Sequence, residues 1–306
     1  MRRIKGWELF EDSQDDEWRK LPKERRILMR KFLVNGIQDC TISDGVITFP
    51  LGMDVDGKGL TTLIGMPDFV GGFFSCMNNK LTSLEGAPNC IKSGLPYSFD
   101  CDHNRITSLV GLPKGISYHK LDISHNAILT LEGCPDRVVN FVCESNKITN
   151  LKGGPTDVIK YTVNDCMLTS LEGAPERLEG HFSCTGNKLT DLKGGPKSTG
   201  NYFCSGNPLK SFDGIPEEII GTFYCDSISI YGDELGTIEG FINAINRLNF
   251  YSRDIPMLAK LMAHFKDKIN PIDLHLLDGY PDLKKAYLEE SGTRDLSVIG
   301  RNLKLL

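Results

Sequence analysis

The stretch His181–Pro196 reads HFSCTGNKLTDLKGGP and holds one full period of a repeat. An aromatic and a cysteine stand two apart, Phe182 and Cys184, which puts both on one side of a short strand. Asn187 follows, then Leu189, then the turn element L-x-G-x-P from Leu192 to Pro196. Working outward, L-x-G-x-P recurs eight times, ending at Pro67, Pro88, Pro113, Pro135, Pro155, Pro175, Pro196 and Pro216, with Phe212 replacing Leu in the last copy. The steps between these prolines are 21, 25, 22, 20, 20, 21 and 20 residues, and the long one coincides with an insertion near Gly94–Tyr97. Self-similarity at this period predicts a solenoid, in which each unit buries its apolar face only against its neighbours.

The same frame explains the cysteines. No C-x-x-C pair occurs among the ten, which removes zinc ribbons and thioredoxin-like sites. Phe99/Cys101, Phe141/Cys143, Phe182/Cys184, Tyr202/Cys204 and Phe223/Cys225 repeat the aromatic-x-Cys pair, while Leu121/Ile123 and Tyr161/Val163 keep the apolar character without a thiol. The position therefore asks for a compact apolar residue, and free Cys serves as one. With Cys76 in the same place after Phe74, six of the ten cysteines are expected to form a buried packing ladder. A further apolar residue three after most prolines (Val70, Ile91, Ile116, Val138, Val158, Leu178, Ile219) is expected to face the core.

The repeat resembles the leucine-rich repeat, L-x-x-L-x-L-x-x-N-x-L, in its short form of about 20 residues. Asn79, Asn104, Asn126, Asn146, Asn187 and Asn207 then stand where that pattern has an asparagine ladder, whose amides satisfy backbone groups at the turn off the strand. Cys166 interrupts this series, and a looser turn is expected there. So short a coil leaves no room for a full helix on the convex side, and the return is expected to be extended or a short 3₁₀ turn. N-K-L-T-S-L-E-G-A-P (Asn79–Pro88) is similar to units of short leucine-rich-repeat proteins from tailed bacteriophages and some bacteria. The lead-in D-V-D-G-K-G-L-T-T-L (Asp54–Leu63), the switch to helices after the last repeat and the opening K-x-W-x-L-F-E-D (Lys5–Asp12) share that likeness. The resemblance implies a solenoid with a protein-binding habit and carries over no functional residues. A more distant likeness is to secreted bacterial effectors that end in a cysteine-dependent ubiquitin ligase. The last cysteine here is Cys225, so that activity is not expected.

The flanks differ from the repeat. Residues 1–59 read as an N-terminal cap: an amphipathic helix over Asp15–Val34, interrupted or started by Pro22, with Trp18, Leu21, Ile27, Leu28, Phe32 and Leu33 as its apolar positions. A hairpin follows, Gln38–Ser43 and Val46–Phe49 around Asp44-Gly45. Asp54–Leu60 (DVDGKGL) has a D-x-D-G look, but position twelve is Gly65 where a calcium loop needs a bidentate Glu, so a turn is expected. Residues 60–230 form the eight-repeat solenoid, and 231–306 a helical C-terminal cap or domain. Helices are expected over Ile238–Leu248 after Thr237, from Asp254/Pro256 to Phe265, after Asn270-Pro271, after Tyr280-Pro281 and over Asp295–Leu306. The fold class is thus an α+β solenoid with a parallel strand face.

A net charge of −5 argues against wholesale binding of nucleic acid. No run approaches 18 apolar residues and the start lacks an apolar signal core, so neither a membrane span nor secretion by a signal peptide is expected. The expected setting is the cytoplasm of an infected host cell or a virion. Function in a solenoid usually lies on the strand face. Asp100, Asp102, Asp122 and Glu144 form an acidic group among the outward positions, with His103 and His125 one place further along their strands. Phe203 and Tyr224 form an aromatic pair on adjacent strands. These six acids and aromatics are the candidate protein-binding residues, the acids steering a basic partner and the aromatics anchoring it. The bland alternatives are a solvated acidic face and aromatics covered by the C-terminal helices. His103 and His125 share their place with Ser145, Asp165, Gly186 and Gly206, so no metal site is assigned. Walker A, HExxH and GxSxG motifs are absent, and no catalytic residue or cofactor is assigned. The expected function is a non-enzymatic protein-binding scaffold, with a structural virion or assembly component, and an enzyme with its site where solenoid meets C-terminal helices, as alternatives.

Overall fold

Short strands that bury one side and turn the other outward build the core, by alternation in some and by two buried residues three apart in Tyr118–Asp122, Arg137–Val142 and Asp157–Thr162. The strand Tyr97–Asp100 buries Tyr97 and Phe99 and turns Ser98 and Asp100 outward. The computed structural model describes residues 2–4, 16–34, 40–91, 96–226, 228–247 and 255–295. They form a β-solenoid of about nine turns with parallel strands and a few helices. The chain divides into two compact units, 1–167 and 168–306.

In the first unit, parallel strands Met53–Asp54, Phe73–Ser75, Tyr97–Asp100, Tyr118–Asp122, Arg137–Val142 and Asp157–Thr162 pair in chain order. Phe74, Phe99, Leu121, Phe141 and Tyr161 follow one another across this sheet, all fully buried, with Phe74–Phe99 rings 5.5 Å apart and Phe141–Tyr161 rings 4.9 Å apart. Burial of each such side chain contributes about 2–3 kcal/mol. Cys76, Cys101 and Cys143 lie beside them with no exposed surface, so the thiols pack as small apolar groups. The return path is extended, and Phe69–Val70 pairs in parallel with Asn89–Cys90. Val70, Val138 and Val158 face the core as expected, whereas Ile91 and Ile116 are only half-buried.

The unit begins with two helices, Asp16–Lys20 and Lys23–Val34, broken at Leu21-Pro22. That break shifts the apolar phase. Trp18, Leu21 and Met29 are buried, while Ile27 is half exposed, against the expectation for one continuous helix. Pro22 lacks an N–H and opens the second helix, its carbonyl accepting from Arg26 N. The hairpin Cys40–Ser43/Val46–Phe49 turns on Asp44 and Gly45, both left-handed, as a two-residue turn requires. Arg2–Ile4 adds an antiparallel third strand, a pairing that carries no signal in the sequence. Asp15, Gln38, Gly94, Leu95, Leu248, Asp254, residues 5–12 and all but the first residue of Asp295–Leu306 lie outside the described residues.

In the second unit, His181–Ser183, Asn201–Phe203 and Thr222–Cys225 pair in parallel, burying Phe182/Cys184, Tyr202/Cys204 and Phe223/Cys225. Ser198–Thr199 and Glu218–Ile219 form a second short parallel pair on the return path, and Leu178 and Ile219 face the core. An unexpected strand, Ile228–Tyr231, then runs antiparallel to Thr222–Cys225. Helices Ile238–Arg247, Ile255–His264 and Pro281–Ser291 and a 3₁₀ segment Pro271–Gly279 follow. Thr237 caps the first of them, its Oγ1 accepting from Gly240 N at 3.0 Å.

Candidate functional site

The asparagines set the geometry of the outward face. Asn126 Nδ2 donates to the carbonyls of Cys101, Ile123 and Ser124, and its Oδ1 accepts from Ile106 N. Asn207 repeats the pattern in the second unit, with Cys184, Cys204, Ser205 and Leu189. At the interrupted place, Cys166 Sγ takes the Cys143 carbonyl at 3.1 Å. The turn there is not looser: Asp165 has φ 52°, like Ser145 at 52° and His103 at 53°. The thiol is short enough to stand in for one amide N–H while the backbone repeats unchanged.

The residue before each ladder position is left-handed. Asn78, His103, His125, Ser145 and Asp165 all have φ between 49° and 54°, and Gly186 and Gly206 have 69° and 68°. This explains the residue types found there, since Gly and short polar side chains tolerate that region best. It also gives His103 and His125 one backbone geometry in successive coils. Their rings stack with centroids 4.1 Å apart and planes 17° apart. Both face one carboxylate: His103 Nδ1 lies 2.7 Å from Asp102 Oδ2, and His125 Nδ1 lies 3.0 Å from Asp102 Oδ1.

The other acids are brought close but not left bare. Asp100 and Asp122 stand opposite one another in register, a place where like charges repel. Lys120 sits between them, its Nζ 3.0 Å from a carboxylate oxygen of each. Burial, aided by the Asp122 charge, raises the Asp100 carboxyl above its ordinary value, and Lys120 offsets part of the rise. Glu144 Oε1 accepts from Asn164 Nδ2 at 3.0 Å, and Glu144 N–H donates to Ser124 Oγ. Lys120 was legible in the sequence by the rule that named Asp122. It stands two residues earlier on the same strand, so alternation sends both outward.

The aromatic pair belongs to the second unit. Phe203 and Tyr224 are partners in the strand register, with rings 4.8 Å apart and planes within 5°. His181 meets the Phe203 ring edge-on at 6.1 Å. Tyr224 is 37% exposed and Phe203 half-buried, so the C-terminal helices leave the pair open to solvent.

Comparison with protein-family models, curated proteins and solved structures finds no match to this chain. Asp54 and Asp56, in the D-x-D-G stretch, act as turn formers: Asp54 Oδ1 accepts from Asp56 N, and Asp56 Oδ1 accepts from Ser75 Oγ and Met77 N. No described helix is long and apolar enough to cross a membrane.

Proposed function

We propose that this chain is a non-enzymatic protein-binding scaffold of short leucine-rich repeats, phage-encoded, that recognises a host or phage protein through its strand face. The observation that carries the reading is the Phe203–Tyr224 stack, two nearly parallel rings open to solvent on paired strands. Aromatics held this rigidly have little freedom to lose on binding and are enriched at interaction hot spots. On the first unit, Asp102 and Glu144 add negative potential, and the pair Asp100/Asp122 keeps one net charge after Lys120. Such a patch favours a basic partner and acts mainly on its association rate.

The test is capture of partners by the tagged full-length chain beside a Phe203→Ala/Tyr224→Ala variant whose fold is verified by circular dichroism. The partner held by the wild type should bind the variant more weakly by more than about 1 kcal/mol. An unchanged affinity in the double variant removes the aromatic pair from the interface.

A further inference from the structure

We infer that Asp102, His103 and His125 form a binding site for a divalent cation of the zinc class. The donors are two imidazoles and a carboxylate, a set suited to Zn²⁺ rather than to Mg²⁺ or Ca²⁺, which prefer all-oxygen shells. One ligand atom from each residue lies within 4.8 Å of the others. Neighbouring donors around tetrahedral zinc, at bonds of about 2.0–2.1 Å, stand roughly 3.3 Å apart. The contraction needed is thus small and falls on side chains alone.

The backbone already supplies the convergence. Both histidines are left-handed, φ 53° and 49°, at equivalent places in successive coils. That conformation costs a non-glycine residue roughly 1–2 kcal/mol, and here it lays two imidazoles side by side over one carboxylate. The stacked rings cannot both aim in-plane at one ion, so each must turn about χ2 to present a ring nitrogen without a proton, the single proton of the neutral ring resting on the other nitrogen. With side chains 52% and 43% exposed, both have room to turn. Lys120 is held by Asp100 and Asp122, which leaves the Asp102 carboxylate to the imidazoles. A cation here takes one lone pair from each imidazole and one from the carboxylate, each ring keeping its proton on the nitrogen away from the ion, and its remaining coordination positions face solvent.

The test is calorimetric titration of the metal-free full-length chain with ZnCl₂, and separately with MgCl₂. A His103→Gly/His125→Gly variant places in both slots the residue found at Gly186 and Gly206, where φ is also positive, so its fold is preserved. An Asp102→Ser variant copies Ser124 and Ser205. All ten cysteines remain in every protein, so thiol binding is a common background. The expected result is one Zn²⁺ per wild-type chain, an affinity at least about tenfold lower in the double-glycine variant, a smaller loss for Asp102→Ser, and no response to Mg²⁺. Zn²⁺ should also raise the Tm of the wild type and not of the double-glycine variant. Equal Zn²⁺ affinity in wild type and double-glycine variant, or no Zn²⁺ binding by the wild type at millimolar metal, overturns the assignment.

Discussion

Lys120 determines how much of the acidic face is charge and how much is internal pairing. Its ammonium bridges Asp100 and Asp122, which otherwise stand opposite one another with only 18% and 15% of their side chains exposed. Burial first, and the Asp122 charge second, raises the Asp100 carboxyl, so the folded state holds that proton more tightly than the unfolded chain does. The stability this group contributes is full at acid pH and falls as pH rises through its raised folded value. Replacing Lys120 by Met removes the offset and lifts the Asp100 carboxyl further. The deficit of the Lys120→Met protein against the wild type should grow by about 1–2 kcal/mol between pH 4 and pH 7, as Asp100 ionises beside Asp122. Urea midpoints at the two pH values measure this, and a deficit independent of pH means that Lys120 acts through packing alone. At this scale the buried members of each coil were legible, because Phe and Cys two apart have one place to go on a strand. The outward pairings were less so, because they depend on which residues of neighbouring coils fall in register. His103 and His125 are 22 positions apart in the chain, and only the coil length brings their rings together.

Each coil contains two left-handed turns, and the two behave differently. The one before the asparagine opens to solvent and accepts side chains, as His103, His125 and Ser145 show. The one inside L-x-G-x-P is glycine in every copy, and Gly214 shows why. Its φ is 86°, and a Cβ there would stand 2.4 Å from the carbonyl carbon and oxygen of Leu192 in the preceding coil. At Gly206, φ is 68° and the nearest atom to a built Cβ is 3.3 Å away. At Gly86, Gly111, Gly194 and Gly214 the motif's glycine thus reports a close approach between coils as well as a turn, while at Gly133 a Cβ would have ordinary contact distance. Gly206→Ala should cost about 1–2 kcal/mol, chiefly the left-handed penalty, with a shift of a few tenths of an ångström at Gly186. Gly214→Ala must also push backbone from backbone, and its cost should exceed about 3 kcal/mol. Chemical denaturation of the two variants separates the cases, and equal losses would mean that the coils can spread without penalty. The motif itself was plain in the sequence, since its spacing is nearly constant. The difference between its two turns was not, because spacing carries no distance to the coil beneath.

A stack of coils has no natural end, so the last strand of each run must meet something other than another coil. In the second unit Thr222–Cys225 meets Ile228–Tyr231 antiparallel, and the helix Ile238–Arg247 packs on that strand in turn. The helices beyond were legible from Thr237, Asn270-Pro271 and Tyr280-Pro281, whose capping and proline signals are local. The strand was not, because ISIY is too short for its alternation to rise above chance, and its partner is the preceding strand. Ile228 and Ile230 are nevertheless buried, Ile230 completely and in register with Phe223. Ile230→Asp places a carboxylate at a fully buried position beside Phe223. The loss should be at least about 3 kcal/mol, and it should free the edge of Thr222–Cys225 to pair with other chains. Ser229→Asp, on the outward side of the same strand, should cost about 1 kcal/mol or less. Urea unfolding gives the stabilities, and sedimentation velocity at micromolar concentration gives the association. Self-association in Ile230→Asp and not in Ser229→Asp identifies this strand as what keeps the sheet from extending. A monomeric Ile230→Asp protein of unchanged stability would assign that role to the helices, with Ile228–Tyr231 only lying over an edge already protected.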